Sequence, residues 1–339
     1  MSSPDVRLPA ESPVGGFDMT PLGWVTNPVV AGTQALVLMI LPLGLPMLVP
    51  LQLAAPLPVL LTALWGGSQS GWIGAAIPVV GAFLLGDGLR FPITAFLLFF
   101  GFPILAAQLV RGGWKVSHCM GLAFLMGVGV LLLFFAWTLA MGIDFQAETA
   151  LKLDTFRDHV LASIAKNGGD AVLLADARTV LQPVLHLLSL LLPGFVVTGW
   201  FLLHAGNLLA ARALVRQWGG TGLFASEDLT EWRVPFVVVW VFIGAALPAY
   251  ALSGFIGMLG ANLVLVLAIL YFMQGMAIVQ AGFRHYAVSG FLRGFFYLAM
   301  FFWHQVVLVV TTLGLFDIWV DFRTRFFRTS KEGENPPGS

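Results

Sequence analysis

The side chains of this chain that could do chemistry sit inside apolar stretches, and most of them are uncharged. At about 100° per residue, His186, Ser189, Pro193, Trp200, His204, Asn207 and Ala211 fall on one helix face. A second face aligns Arg293, Tyr297, His304 and Thr311, with Gln305 beside it, while Asn262 and Gln274 add amides from the preceding helix. Polar groups inside a bilayer turn toward the bundle or a cavity, because lipid leaves them unsatisfied. His204, Asn207, Gln274 and His304 are therefore the candidate lining of a small polar chamber that could hydrogen-bond a solute. The plainer use of such residues is bonding between helices, and it outweighs substrate contact for any one of them.

No metal or cofactor is expected. Two histidines with no carboxylate inside the spans do not complete a metal shell, and the single Cys119 excludes an internal disulfide or a multi-cysteine site. The chain has no HExxH, GxSxG or GxxxxGK[ST] motif, which removes support for zinc proteolysis, serine hydrolysis of that design and ATP hydrolysis. The expectation is a non-enzyme.

Two further patterns concern contact. Gly66, Ser70, Gly74, Pro78, Ala82 and Gly86 recur every fourth position, and rows of small residues let membrane helices approach closely. Internal packing is the main reading; the sharper one is a helix-docking face, centred on Ser70, Gly74 and Ala82, for another membrane protein. Near the end, a continued helix puts Asp317, Asp321, Arg325 and Arg328 on one stripe, with Trp319, Phe322 and Phe326 opposite. Asp321 and Arg325 have the i,i+4 spacing of a pair worth about 0.2–0.5 kcal/mol, which reads as an interfacial anchor. A functional role would need the two aspartates to meet groups from another loop. Gly86-Asp87-Gly88 reads as a turn.

These residues must be held by membrane helices. Hydrophobic residues make up 58% of the chain and charged ones 10%, too little charge for an aqueous surface. The formal net charge of +0 offers no field for nucleic acid, so none is expected as a partner. Charge-free stretches run through 19–86, 91–110, 116–143, 179–211, 234–283 and 294–316. With about 20 residues per crossing, prolines 42 to 58 and the Gly66–Gly71 turn divide the first into three helices. The total is nine transmembrane helices, with eight as the alternative, in an all-α polytopic fold.

Residues 1–27 read as a disordered tail, 28–328 as one membrane domain and 329–339 as a second tail. Within the domain, 28–211 forms a six-helix unit and 212–328 adds three helices and an interfacial C-terminal helix. The 143–178 connection is an outer insertion, where Leu153, Phe156, Val160 and Ile164 mark an amphipathic surface helix ended by Asn167-Gly168-Gly169. Asp170 would cap a second short helix before Thr179. Arg111 with Lys115, Arg212 with Arg216 and Arg233, and Arg284 with Arg293 place three loops on the cytoplasmic side. The last span then leaves Arg323, Arg325, Arg328 and Lys331 outside, against the charge rule.

Several segments carry a resemblance: Pro193 through Asn207, Ala210-Ala211-Arg212, Trp232-x-x-Pro235, Asn262, Tyr271-Phe272-x-Gln274-Gly275, and Gly314-x-x-Asp317-x-Trp319-x-Asp321-Phe322-Arg323. From about Leu51 to Arg325 the chain resembles the YybS-like family of bacterial multi-spanning proteins of unknown function, which brings no catalytic residues with it. That family is distantly similar to the substrate-binding components of energy-coupling-factor vitamin transporters, and the short second helix also looks like MreD-type envelope proteins. The resemblance implies a multi-pass protein of the bacterial inner membrane. Two readings follow: a scaffold or assembly partner of other membrane proteins, or a solute- or vitamin-binding component energised by a separate subunit.

Overall fold

The computed structural model describes residues 21–85, 96–218 and 222–327. Of the expected tail at 1–27, residues 21–26 form a helix instead, while residues 1–20, the tail at 329–339, the Gly86-Asp87-Gly88 turn, Arg328 and Lys331 lie outside the described residues. Among the described residues every regular element is helical. The helices are α1 (Pro21–Thr26), α2 (Pro28–Gly44), α3 (Val49–Gln52), α4 (Pro56–Leu85), α5 (Gly101–Arg111), α6 (Val116–Ala140) and α7 (Phe145–Lys166). They continue as α8 (Ala171–Gln217), α9 (Val237–Ala251), α10 (Gly254–His285), α11 (Gly290–Phe302), α12 (His304–Val320) and α13 (Phe322–Phe327).

Four segments are long and apolar enough to cross a membrane: Val49–Leu84, Val116–Ala140, Ala171–Gln217 and Gly254–His285. A fifth arises if α11 and α12, bent by 106°, count as one, and Pro28–Pro42 and Val237–Ala251 are shorter apolar helices. This is a helical membrane protein in contact with the bilayer.

The chain forms two compact units, Met1–Cys119 with Leu203–Ala225, and Met120–Leu202 with Ser226–Ser339. In the first, α4 is not a straight rod. Gly67 has φ 83° and ψ −178°, a conformation open to glycine, and the chain folds back there, inside the expected Gly66–Gly71 turn. A Cβ built on Gly71 would lie 2.8 Å from that of Ala63, and one on Gly74 would lie 3.5 Å from Thr62. In a straight helix the first pair would be about 12 Å apart. The leading arm, Pro56 to Gly66, is about 16 Å long, half the hydrocarbon thickness of about 30 Å. Val59 to Leu64 are all buried in that arm, so it is an inner half-helix enclosed by protein.

The second unit differs from expectation in two elements. The short helix expected after Asp170 is continuous with the following span. Asp170 does cap it, accepting from Leu173 N at 2.8 Å, but α8 then runs 47 residues to Gln217. That is about 70 Å, more than twice the hydrocarbon thickness. The last expected span, 294–316, is broken at Trp303, where α11 meets α12. A helix does form within the 143–178 connection: Asp144 caps α7, Gly168 at φ 88° follows its end, and Arg157 ties it to α8 through Gln182 at 2.8 Å.

Candidate functional site

In the first unit, polar side chains close the chain's own backbone. The half-helix ends in carbonyls without intrahelical partners, and Arg111 Nη1 donates to Leu64 O at 2.9 Å and Trp65 O at 3.2 Å. Thr62 donates to Val25 O near its middle. Asn207 Nδ2 donates to Leu53 O and Leu203 O, both at 2.7 Å. His204 is 2% exposed, its ring 5.0 Å from that of Phe102.

Gly74 and Ala82 of the small-residue stripe are buried within the same unit. Ala82 is 2% exposed, and a Cβ on Gly74 would meet Pro28 O at 3.4 Å as well as Thr62. Ser70 Oγ donates back to Gly66 O. At Gly74, then, the stripe packs against α2 and the half-helix. Gly74→Leu is expected to destabilise the unit by about 1–3 kcal/mol through overpacking, read as a lower melting temperature in detergent.

In the second unit Asn262 repairs a helix. Pro193 disturbs the turn before it, and Asn262 bridges the adjacent rung, accepting from Gly194 N at 2.6 Å and donating to Leu190 O at 2.8 Å. Asn262→Leu should leave both groups buried without partners. A loss of about 1–3 kcal/mol is expected, checked by thermal unfolding.

The densest polar cluster of this unit joins three distant segments. Asp317, near the end of α12, accepts from Gln274 Nε2 at 2.9 Å, Arg323 Nη2 at 2.7 Å and Phe322 N at 2.9 Å. Its side chain is 1% exposed and that of Arg323 is 9%. Arg323 Nη1 donates to Thr230 O and Trp232 O, both at 2.8 Å. Gln274 Oε1 accepts from Val234 N at 2.8 Å. The turn after α12 is made by Asp321 in the left-handed region, φ 48°, which Asp tolerates better than most residues.

Two exposed ion pairs flank this latch. Arg233 meets Asp321 at 2.7 Å and Arg284 meets Asp228 at 2.6 Å. The hydrogen bond from Arg284 holds Asp228 well below the usual carboxylate range, outweighing the desolvation that opposes it. Burial pushes Asp321 up, but hydrogen bonds from Thr324 and Arg233 bring it below its ordinary value. A carboxyl depressed in the folded state gives stability that is complete above the unfolded pKa of about 3.9. That stability fades as pH falls through the depressed value. Hydrogen exchange of the 226–236 backbone is thus expected to stay protected from pH 7 to about 4 and to rise in stronger acid. Asp228→Asn should expose the segment even at neutral pH.

Several expectations change here. Asp321 pairs with Arg233 rather than Arg325, because the left-handed turn ends the helix that would have aligned the stripe. Asp321 meets Arg233 from another loop, and Asp317 meets Gln274 from inside α10, so the two are not a plain interfacial anchor. Residues 228–234 bind Arg284, Asp321 and Arg323 together, so the start of the basic C-terminal segment lies on the side of Arg233 and Arg284. The expected crossing by 294–316 is a helix pair bent by 106°, the geometry of a broken span or of a re-entrant loop.

Of the four candidate chamber residues, His204 and Asn207 belong to the first unit, and Gln274 and His304 to the second. Gln274 is bound in the latch, and His304 opens α12 at an exposed position. Asp317 and Arg323 were the residues a chamber search passes over, because their partners are far apart in sequence. Among the described residues no group of His, Cys, Asp and Glu could hold a metal ion.

The latch segments Trp232–Pro235, Tyr271–Gly275 and Gly314–Arg323 are three of the six that carried the resemblance to a membrane family. No curated protein and no solved structure matches the chain. The sequence profile of the family described as predicted membrane protein, DUF2232, matches residues 34–318. The chain therefore belongs to this DUF2232 family of membrane proteins of unknown function.

Proposed function

We propose that this chain is a non-catalytic assembly partner or scaffold of the bacterial inner membrane. The observation that carries the reading is the commitment of the amides within the helices. Asn207, Asn262 and Gln274 each bond backbone or side chains of the chain itself. The buried Asp317 and Arg323 likewise neutralise each other. Groups held this way fix helix geometry and are unsuited to moving protons or binding a passing solute. The inner membrane as location rests on the resemblance to YybS-like bacterial proteins.

One observation favours the second reading, a solute- or vitamin-binding component energised by a separate subunit. The half-helix Pro56 to Gly66 ends at Gly67 inside the first unit, and irregular backbone at membrane depth is tolerated where protein encloses it or a cavity adjoins it. The similarity to energy-coupling-factor components belongs to this reading.

Affinity purification from native membranes, with mass spectrometry of proteins and small molecules, separates the two. A stoichiometric membrane-protein partner with no retained small molecule is expected. One small molecule retained per chain, without a constant protein partner, would overturn the scaffold.

A further inference from the structure

An apolar groove of about 350 Å³ opens beside the latch, lined by Ile278, Val279, Phe283, Val288, Leu313 and Phe322 among others. Arg293 is tied to the backbone of two residues that line it. Its Nε donates to Val288 O at 2.9 Å and its Nη2 to Phe283 O at 3.3 Å, and both acceptors belong to lining residues. The other well-placed cations here have carboxylates: Arg233 has Asp321, Arg284 has Asp228 and Arg323 has Asp317. Arg293 has no carboxylate within 4.0 Å among the described residues. Its helix, α11, buries none of its residues in the chain, and Phe291 is 86% exposed.

The position along the membrane normal follows from the latch. Arg233, Arg284 and Arg323 share one side, the side that the distribution of Lys and Arg marks as cytoplasmic. The leaflet there is the one whose anionic headgroups attract basic residues. An apolar cleft with an uncompensated guanidinium at its rim then matches a molecule with an acyl chain and an anionic head. We propose that this groove seats one acyl chain of an anionic phospholipid, with the phosphate on Arg293. The site is independent of the scaffold reading.

Lipid retention by the purified full chain, followed by native mass spectrometry, tests it. Phosphatidylglycerol and phosphatidylcholine with identical chains are compared, with inorganic phosphate as a chainless competitor. Phosphatidylglycerol should be retained about fivefold better, the weight of one basic side chain at an anionic surface. Arg293→Gln should equalise the two lipids and Arg293→Lys should restore the preference. Val279→Trp, or Leu313→Phe if that variant does not fold, should weaken both lipids by blocking the cleft. Equal retention of the two lipids by the unaltered chain would overturn the site. So would retention unchanged by both cleft-filling variants, or displacement of the lipid by inorganic phosphate.

Discussion

Asp317→Ala should be the most damaging single polar substitution in the protein, with an expected loss of about 3–5 kcal/mol. The change removes one partner of a buried ion pair and leaves Arg323 charged, with its side chain 9% exposed. It also strips Gln274 Nε2 and Phe322 N of their acceptor, so three donors lose their partner together. Arg323→Ala should cost a similar amount, since it leaves the carboxylate buried and also abandons Thr230 O and Trp232 O. The pair Asp317→Leu with Arg323→Met should be less harmful than either single change added to the other, because an apolar pair needs no neutralisation. Thermal unfolding of the four proteins in one detergent checks this. A melting temperature for Asp317→Ala equal to that of the unaltered chain would refute the latch as a stabilising element.

The physical reason this cluster was hard to read lies in its sequence separations. Gln274 and Asp317 are 43 residues apart, and Arg323 and Thr230 are 93 apart, while helical-wheel reasoning connects only near neighbours. The segments themselves were visible, as short patterns around Trp232, Gln274 and Asp317. Composition alone identified a helical membrane protein, since bilayer thickness and charge cost act on every span. Wheel alignment failed where helices stop being straight. His304 and Arg293 share a face only on an unbroken helix, and Trp303 breaks it by 106°. Asp321 and Arg325 pair only without the left-handed turn at Asp321. Gly67 was legible as a turn because glycine clusters announce one, but the enclosure of the half-helix depends on α2 and α5, whose packing no local pattern encodes. Asn207 was placed on the correct inward face, and its partner Leu53 lies 154 residues away.

Gly314→Ala and Gly275→Ala should each separate α10 from α12, although alanine adds one carbon. A Cβ on Gly314 would overlap the carbonyl oxygen of Tyr271 and approach Gly275 N at 2.6 Å; one on Gly275 would overlap the carbonyl of Val310. These obstacles are backbone, which cannot turn aside as a flexible side chain can, so the helices must move. Movement here carries a second cost, because Gln274 and Asp317 lie within three residues of the two glycines and their hydrogen bond spans the same crossing. The loss is expected at the upper end of the overpacking range of about 1–3 kcal/mol, and it should be smaller in an Asp317→Ala background, where the latch is already open. Gly294 supplies the control. It is also helical, with nothing within 4 Å of a built Cβ, so Gly294→Ala should hold or raise stability through helix propensity, by up to about 1 kcal/mol. If Gly314→Ala and Gly294→Ala melt at the same temperature, the two helices do not depend on backbone contact, and the latch would have to position α12 unaided.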